Sequence, residues 1–360
     1  MGNNSAIEWT DTTWNPLAGC TWASPGCDHC YAAVMARRLD AMAQADIAAG
    51  RDPGAKAKYI GITHKNNAGR VMFNGRVNLD PFALDEPLRW KKPRRVFVNS
   101  MSDLFHKDVP DAFIARVWDV MAQAHRHTFQ VLTKRPERMA ELVPQFAARH
   151  TARDGSGWPL AHVWIGTSVE NQPAADERIP HLLRVPARVR FLSCEPLLGP
   201  VNVARWLCCP WCGDGDRARQ DLNGTWYHEN DGWARPCPTT SRGPAVHTID
   251  WVIVGGESGR AARPMHPDWA RSLRDQCQAA GVAYHFKQWG EYKPSPWIPE
   301  PNAKPHFALA VEHDGSHVYA QVGHIAGFRS PTEVCMERVG KHAAGRVLDG
   351  RTWDELPNGG

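Results

Sequence analysis

Arg95–Ala148 reads RVFVNSMSDLFHKDVPDAFIARVWDVMAQAHRHTFQVLTKRPERMAELVPQFAA, and this stretch decides the fold class. Arg95–Asn99 and Phe129–Thr133 are short runs of apolar and β-branched residues, which are typical of buried strands. Each run is followed by the apolar spacing of a helix, first over Pro110–Ala124 and then over Pro136–Ala148. Because parallel strands joined by crossover helices give this alternation, the stretch predicts an α/β fold.

The same alternation continues on both sides of this stretch. Further strands are predicted at Val163–Thr167, Val189–Ser193, Trp251–Val254 and Ala283–Lys287, with weaker candidates near Thr13–Ala18 and Val71–Leu79. Further helices are predicted at Cys30–Ala49 and Pro267–Ala280. This many strand–helix units favour a complete or partial (β/α) barrel over a doubly wound sheet.

The predicted barrel spans residues 1–290 and has one interruption. Residues 208–242 are rich in Gly, Asp and Cys and have no apolar period, so we interpret them as an insertion between barrel units. After Trp289 the chain becomes rich in proline. Residues 291–360 are therefore expected to form a C-terminal extension that packs on the barrel.

Composition excludes several classes of protein. The chain has 360 residues, of which 42% are hydrophobic and 22% charged, so it can bury a core and is not disordered throughout. It has no apolar run long enough for a transmembrane helix, and its first residues lack the features of a secretion signal. Ten cysteines without such a signal indicate a reducing compartment. We expect a cytoplasmic protein with no membrane partner, and a net charge of +4 permits a nucleic-acid partner without arguing for one.

Three cysteines lie in one loop, Gly19–Ala32, which reads GCTWASPGCDHCYA. Cys20, Cys27 and Cys30 have the spacing C-x6-C-x2-C. Three thiolates can bind three irons of a [4Fe–4S] cube, which leaves the fourth iron open to a substrate or cofactor. A zinc site completed by His29, and cysteines with no metal role, are the alternatives.

A second group of cysteines lies within the predicted insertion. Cys209 and Cys212 form a C-x2-C pair, and Cys237 follows after 24 intervening residues. The residues that could complete a tetrahedral zinc site are Cys208, His228 and His247. Such a site would order an insertion that has little core of its own, and an auxiliary iron–sulfur cluster or free thiols are the alternatives.

Polar residues follow nearly every predicted strand. In a barrel the carboxyl ends of the strands share one rim, and active sites are built there. The alternative is that strand ends meet turns, which are polar in any fold. The candidates on this rim are Asn99, Ser100, Asp103, Thr133, Lys134, Arg135, Ser168, Glu170, Cys194, Glu195, Glu257 and Lys287.

The densest basic stretch, Arg89–Arg95, reads RWKKPRR. It could grip a phosphate backbone, with Trp90 beside a base. The alternative is a solvated loop that leads into a strand.

Five stretches together resemble a phage-associated branch of the radical S-adenosylmethionine (SAM) superfamily, a branch of unknown function. They are the cysteine loop GCTWASPGCDHCYA, FLSCEPLLGP, WVIVGGESG, FKQWG and GRVLDGRTWDELP. The usual loop of the superfamily is C-x3-C-x2-C, and the first gap here is three residues longer. The resemblance implies a (β/α) barrel that holds a [4Fe–4S] cluster on Cys20, Cys27 and Cys30, with SAM chelated to the open iron.

The resemblance also implies the chemistry. One electron from the reduced cluster cleaves SAM, and the resulting 5′-deoxyadenosyl radical takes a hydrogen atom from the substrate. The residues expected to bind the cofactor are Asn99, Ser100, Asp103, Ser168 and Glu170, with Thr133, Lys134 and Arg135 facing the SAM carboxylate or a phosphate. The residues expected to act in catalysis are Cys194 as a hydrogen donor, Glu195 as a base or amine ligand, and Glu257 and Lys287.

For the substrate, the resemblance implies nucleic-acid modification. Phage enzymes of this type are associated with hypermodified thymine, including rearrangement of an amino acid attached to the base. The substrate would be a base in DNA or a nucleotide in the host cytoplasm, the reaction that of an isomerase, mutase or lyase, and the electron donor an external protein such as flavodoxin. Two alternatives stay open: a DNA repair enzyme of the thymine-photoproduct-lyase type, and a zinc-stabilised nucleic-acid-binding protein without catalysis.

Overall fold

The structure is a computed structural model. It describes Ser5 and residues 7–147, 158–207, 249–295 and 334–357, together with the backbone of 218–220, 226–230, 233–236, 307–311 and 317–321. The described chain divides into two compact units. The first contains Met1–Ser168 and Arg178–Phe191, and the second contains Val169–Glu177 and Leu192–Gly359.

Strands and helices alternate along the chain. The elements up to Ser168 are β1 (Thr12–Trp14), β2 (Leu17–Ala18), α1 (Tyr31–Ala48), β3 (Thr63–Lys65), β4 (Val71–Phe73), β5 (Asn78–Leu79), α2 (Pro81–Leu84), α3 (Glu86–Arg89), β6 (Arg95–Val98), α4 (Asp111–Gln123), β7 (Thr128–Thr133), α5 (Pro136–Leu142) and β8 (Val163–Ser168). The later helices are α6 (Gln172–Arg184), α7 (Ala204–Leu207), α8 (Pro267–Ala280) and α9 (Lys341–Ala344). The later strands are β9 (Val189–Cys194), β10 (Ala218–Gln220), β11 (Trp226–Asn230), β12 (Trp233–Pro236), β13 (Trp251–Gly255), β14 (Ala283–Gln288), β15 (Tyr292–Pro294), β16 (Phe307–Val311), β17 (His317–Gln321) and β18 (Val334–Arg338).

The main sheet has seven strands in the order β1-β6-β7-β8-β9-β13-β14. The neighbouring pairs β1–β6, β6–β7, β7–β8 and β13–β14 are parallel. The strand order follows the chain without reversal, whereas a doubly wound sheet reverses at its switch point. The structure is therefore an α/β fold whose sheet is compatible with a partial (β/α) barrel.

The six strands predicted with most support are confirmed to within about a residue at each end. The weaker candidate near Thr13–Ala18 is two short strands, β1 and β2, and the one near Val71–Leu79 is β4 and β5. The helix predicted over Pro136–Ala148 ends earlier, at Leu142, and a 3₁₀ turn over Val143–Phe146 follows. Pro144 explains the change, because a proline has no backbone N–H to donate to the residue four positions earlier, as an α-helix requires.

Helix α6 was not predicted, and the interruption of its sequence explains why. It reads QPAADERIPHLLR, with Pro180 inside the helix. A proline in a helix interior removes a backbone hydrogen bond, so the sequence pattern does not indicate a helix here. The contacts of the folded chain outweigh that preference here.

Antiparallel strands lie in both segments that were set apart from the barrel. The predicted insertion 208–242 contains the three-stranded sheet β10-β11-β12, and the predicted C-terminal extension contains the four-stranded sheet β15-β18-β16-β17. The expected boundary of the barrel at residue 290 stays a prediction.

Aromatic rings pack against one another inside the first unit. The ring centroid of Trp9 lies 4.7 Å from that of Phe97 and 6.3 Å from that of Phe191. A Cβ atom at Gly166 would lie 2.6 Å from the ring of Phe191, so glycine leaves room for this ring. The polar residues described below lie at the carboxyl ends of the strands in this unit.

In the second unit the C-terminal residues cover β14, which is an edge strand of the main sheet. The amide of Phe286 donates to the carbonyl oxygen of Trp353 at 2.9 Å, and the indole of Trp289 donates to that of Val347 at 2.8 Å. Trp353 is itself buried. The segment thus satisfies part of an edge that would otherwise be open to pairing with another chain.

None of the helices in the part of the chain that the structure describes is long and apolar enough to cross a membrane.

Candidate functional site

The cysteine loop begins at Gly19, directly after β2, and its start allows no side chain. Gly19 has φ +106°, and a Cβ atom there would lie 2.0 Å from the carbonyl oxygen of Arg76. The Gly19 amide donates to the carbonyl oxygen of Met101 at 3.4 Å. Only glycine combines this backbone angle with so close an approach, so the position of Cys20 depends on Gly19.

The loop ends at Cys30, which is the N-cap residue of α1. One face of α1 is rich in alanine, and Ala32 and Ala36 pack there with Tyr59 and Ile62 while Cys30 packs against the same cluster. Small side chains let the helix approach its neighbours closely. This packing places Cys30 at a helix N-terminus, where backbone N–H groups favour a negatively charged sulfur.

The three thiols affect one another. Burial raises the pKa of Cys20 to about 12; Asp103, Cys27 and Cys30 raise it further, and Arg135 opposes the change. Burial also raises the pKa of Cys30, while the amides of Ala33 and Ala32 and the ammonium of Lys134 act in the opposite direction. Cys20 and Cys30 are therefore partly desolvated, and each has a cation nearby, Arg135 and Lys134 respectively.

We asked whether these residues fit an iron–sulfur cluster. Among the described residues, no three or more His, Cys, Asp or Glu side chains form a group that could hold a metal ion as they stand. Three thiolates on three corners of a cube lie further apart than three ligands of one ion. The donor set fits such a cluster, because Cys20, Cys27 and Cys30 are three free thiols on one loop.

A buried ion pair lies against Cys20. Arg135 Nη1 is 2.8 Å from Asp103 Oδ2 and donates to Cys20 Sγ at 3.6 Å. Arg135 Nη2 donates to Thr21 Oγ1 at 2.7 Å and to the Thr21 carbonyl oxygen at 3.2 Å. The guanidinium therefore joins the end of β7 to the cysteine loop, and its contacts are with protein groups.

The carboxylate of Asp103 is held from four sides. Oδ1 accepts from Thr133 Oγ1 at 2.7 Å and from the Phe105 amide at 3.0 Å. Oδ2 accepts from the Lys134 amide at 3.0 Å and from Arg135. The structure thus brings Asp103, Thr133, Lys134 and Arg135 together, although most of their polar groups bond to one another.

His106 completes this network from the side of the loop. Its Nε2 lies 3.0 Å from Thr21 Oγ1, and its Nδ1 accepts from the Asp108 amide at 3.3 Å. Because Nδ1 accepts, the proton of the neutral ring sits on Nε2, which donates to Thr21. Burial lowers the pKa of His106, and the charge of Arg135 lowers it further. The ring is therefore neutral near pH 7.

Among the predicted rim residues in the first unit, Asn99 has the side chain with the fewest hydrogen-bond partners. It follows β6 with φ +61°, outside the usual range of residues other than glycine. It is 2% exposed, and within the described structure neither Oδ1 nor Nδ2 has a hydrogen-bond partner. A buried amide that lacks partners in a strained backbone is typical of a group that meets a ligand.

Other predicted cofactor residues have protein partners. Ser100 Oγ donates to Asn15 Oδ1 at 3.2 Å, and its carbonyl oxygen accepts from Tyr31 at 2.8 Å. Ser168 is buried in the first unit, and its carbonyl oxygen accepts from Arg178 at 2.9 Å. Glu170 is buried in the second unit. Their roles in cofactor binding stay predictions.

Glu195 and Lys287 form a partly buried ion pair in the second unit. Glu195 follows β9, and its Oε1 lies 3.1 Å from Lys287 Nζ on β14. Ser193 Oγ donates to Glu195 Oε2 at 3.4 Å. A Cβ atom at Gly255 would lie 2.4 Å from Glu195 Oε1, so glycine makes room for this carboxylate. The structure thus brings together Glu195 and Lys287, which were predicted separately.

The carboxylate of Glu257 is bound by Arg263, a residue close to it in the sequence. Its Oε2 accepts from Arg263 Nε at 2.9 Å and from the Arg263 amide at 2.8 Å, and its Oε1 lies 2.6 Å from Arg263 Nη2. A Cβ atom at Gly290 would lie 2.2 Å from the Glu257 carbonyl oxygen. These contacts are those of a residue that holds a loop, and the catalytic role of Glu257 stays a prediction.

Cys194 is fully buried, and burial raises its pKa well above the usual value. The thiol of Cys277 on α8 raises it further. Glu195, the next residue, bonds instead to Ser193 and Lys287. Cys194 thus has the environment of a packing residue, and its role as a hydrogen donor stays a prediction.

The basic stretch Arg89–Arg95 lies at the amino end of β6, while Asn99 lies at its carboxyl end. Arg94 stacks on Trp90 with 5.2 Å between its Cζ and the ring centroid, and Arg95 pairs with Asp11 at 3.2 Å. The structure therefore favours the alternative of a loop that leads into a strand. The stretch is not part of the cysteine-loop site.

The predicted zinc ligands lie largely outside the described residues. Cys208, Cys209, Cys212, Cys237 and His247 belong to this part of the chain, and His228 is described only through its backbone in β11. The zinc site stays a prediction.

Three residues of these sites were missed by sequence reasoning. Thr21 and His106 join the cysteine loop to the ion pair, and Arg263 holds Glu257. The place of Thr21 directly after Cys20 is the one signal that could have found it. His106 and Arg263 lie in loops without a recognisable motif.

The fold and the site define a class: an α/β protein in which a three-cysteine loop, a buried ion pair and an unpartnered amide lie at the carboxyl ends of neighbouring parallel strands. The chain belongs to the family described as "Protein of unknown function (DUF5131)", whose model matches residues 4–357. No curated protein and no solved structure matches the chain.

Proposed function

We propose that this protein is a radical SAM enzyme that modifies or rearranges a nucleic-acid base. The observation that carries the proposal is the set of three cysteines on one loop, Cys20, Cys27 and Cys30, with Arg135 donating to the first and the last placed at the N-terminus of α1. The loop follows β1 and β2 in the chain and precedes α1, so it lies on the carboxyl side of β1. The partial-barrel sheet order and the resemblance of the sequence to the superfamily support the same proposal.

These three cysteines are the residues that would hold a [4Fe–4S] cluster. When bound, the cluster and SAM supply a carbon-centred radical that removes a hydrogen atom from the substrate. The chain prepares the ligands for this role by placing the amides of Ala32 and Ala33 near Cys30. Arg135 acts similarly at Cys20. Positive charge and N–H groups stabilise thiolates that burial alone would keep protonated.

Among the described residues, Asn99 is the best supported protein contact for SAM. Its amide provides one acceptor and two donors, and none of these is used within the described structure. The α-amino and α-carboxylate groups of SAM need an acceptor and a donor. Asn99 lies at the end of β6, the strand that pairs with β1 ahead of the cysteine loop.

In the second unit, Glu195 and Lys287 are the residues that would act in proton transfer. The partly buried carboxylate, with the ammonium beside it, can hold or move a proton at Glu195 Oε1. The choice of a nucleic-acid base as substrate rests on the resemblance alone, since the basic stretch Arg89–Arg95 lies at the other end of β6. An external one-electron donor such as flavodoxin is part of the proposal.

The experiment compares the chain reconstituted anaerobically with iron and sulfide and its Cys20→Ala, Cys27→Ala and Cys30→Ala variants. Cys335→Ala is the matched control, because Cys335 is a partly buried free thiol on β18. Each protein is reduced and given SAM with duplex DNA or with the matching nucleotide. Iron content, 5′-deoxyadenosine and base products are then measured, the last two by mass spectrometry.

We expect about four irons in the wild type and in Cys335→Ala, with 5′-deoxyadenosine formed by both. Each loop variant should lose the cluster and form none. Full iron retention in all three loop variants would contradict the assignment. Cleavage of SAM without any change in DNA or nucleotide would leave the radical chemistry standing and overturn the substrate.

A further inference from the structure

The contacts of Arg135 differ from those of every other arginine in the described part of the first unit, because one of them is to a loop cysteine. Its Nη1 lies between Asp103 Oδ2 at 2.8 Å and Cys20 Sγ at 3.6 Å. The side chains of Arg135 and Asp103 are 13% and 7% exposed. At such exposure solvent and salt screen the charges weakly, so a change in either is felt at the sulfur.

The carboxylate and the guanidinium are fixed in place. Asp103 accepts from Thr133 and from the amides of Phe105 and Lys134, and Arg135 donates twice to Thr21. Each charge therefore has partners besides the other. Neutralising one of them leaves the second in position beside Cys20.

We propose that Arg135 and Asp103 are a positioning pair whose opposite charges set the reduction potential of a cluster bound through Cys20. The inference rests on the proposed function. Arg135, with its N–H directed at the sulfur, favours the reduced cluster, and Asp103 limits that effect. Hydrogen bonds to cluster sulfurs and local net charge are the properties of a protein that shift such potentials.

A merely structural role predicts something different. If the pair only braced the loop, removing either member would loosen it, and both variants would change in the same way. A role through charge makes the two variants shift the potential in opposite directions. The sign of each shift therefore separates the two roles.

The test uses the full chain, reconstituted anaerobically, with Arg135→Gln, Asp103→Asn and the double variant. Arg138→Gln is the matched control: Arg138 lies on α5, whose N-cap residue is Arg135, and bonds to the carbonyl oxygens of His106 and Val109 and to Asp111. Iron and sulfide are counted first. The midpoint potential is then measured by titration with dithionite, followed by electron paramagnetic resonance (EPR).

We expect a lower potential in Arg135→Gln and a higher one in Asp103→Asn. The double variant should lie between the two single variants, and Arg138→Gln should match the wild type. Shifts of the same sign, no shifts, or loss of iron from both single variants would overturn the inference while the proposed function stands. A wild-type chain that binds no cluster would overturn both.

Discussion

Asn99 combines two unusual features of the site in a single residue. Its backbone adopts φ +61° and its buried amide has no partner in the described structure. A buried polar group without a partner costs about 1–3 kcal/mol, whereas the left-handed backbone costs asparagine less than most other residues. A chain that keeps both features in a buried position gains from them elsewhere, and binding of a ligand is the gain that we infer.

Replacing Asn99 with glycine tests this interpretation. Asn99→Gly removes the unpartnered amide and accepts the backbone angle, so the metal-free chain should be about 1 kcal/mol more stable in urea unfolding. The chain with its cluster should bind SAM at least about tenfold more weakly in calorimetry, because a hydrogen bond to a charged group is lost. Asn99→Ala is the control, since alanine removes the amide but keeps the backbone strain. Lower stability with unchanged SAM affinity would contradict a ligand-binding role.

At this scale the sequence predicts which residues matter better than it predicts their partners. The spacing of Cys20, Cys27 and Cys30 is visible in one loop. Asp103 and Arg135 were placed on a common rim, but their ion pair joins residues that are 32 positions apart, and it depends on how two loops meet. His106 and Thr21 are 85 positions apart, and no local pattern connects them.

The cysteine loop is the element on which the account depends. Its beginning is fixed by Gly19 and its end by α1, whose alanine-rich face packs against Tyr59 and Ile62. The two ends position Cys20 and Cys30, and the middle cysteine, Cys27, ends a 3₁₀ turn over Pro25–Cys27. A change that moves one end should therefore affect metal binding without touching a ligand.

Gly19→Ala is such a change. A side chain there combines a positive φ with a contact 2.0 Å from the Arg76 carbonyl oxygen, so the loop must shift. We expect a loss of about 2 kcal/mol or more in the free energy of unfolding, together with reduced iron content after reconstitution.

Gly50→Ala is the matched control for this prediction. Gly50 has φ +69° just after α1, and a Cβ atom there would meet nothing within 4 Å. It should cost only the backbone strain, about 1 kcal/mol, and leave the iron content unchanged. Equal iron content in both variants would show that the close approach at Gly19 does not position the loop.

For the whole molecule, the strand order of the main sheet could be predicted more completely than the elements that pack around the sheet. Regular alternation of apolar strands and helices predicted a barrel-like parallel sheet, and its strands run in chain order. Helix α6 was missed because Pro180 interrupts its pattern. The cover of β14 by residues near Trp353 was predicted only as an extension, because strand-edge pairing through a few irregular residues leaves no period in the sequence.

The central claim is that the three-cysteine loop holds a [4Fe–4S] cluster with one iron open to SAM. This claim is tested on the whole chain. The most direct measurement is the EPR spectrum of the anaerobically reconstituted, dithionite-reduced chain with and without SAM. The account predicts a reduced [4Fe–4S] signal that changes when SAM is added, because an iron without a protein ligand is free to take it. A chain without this signal, or a signal that SAM leaves unchanged, would contradict the account.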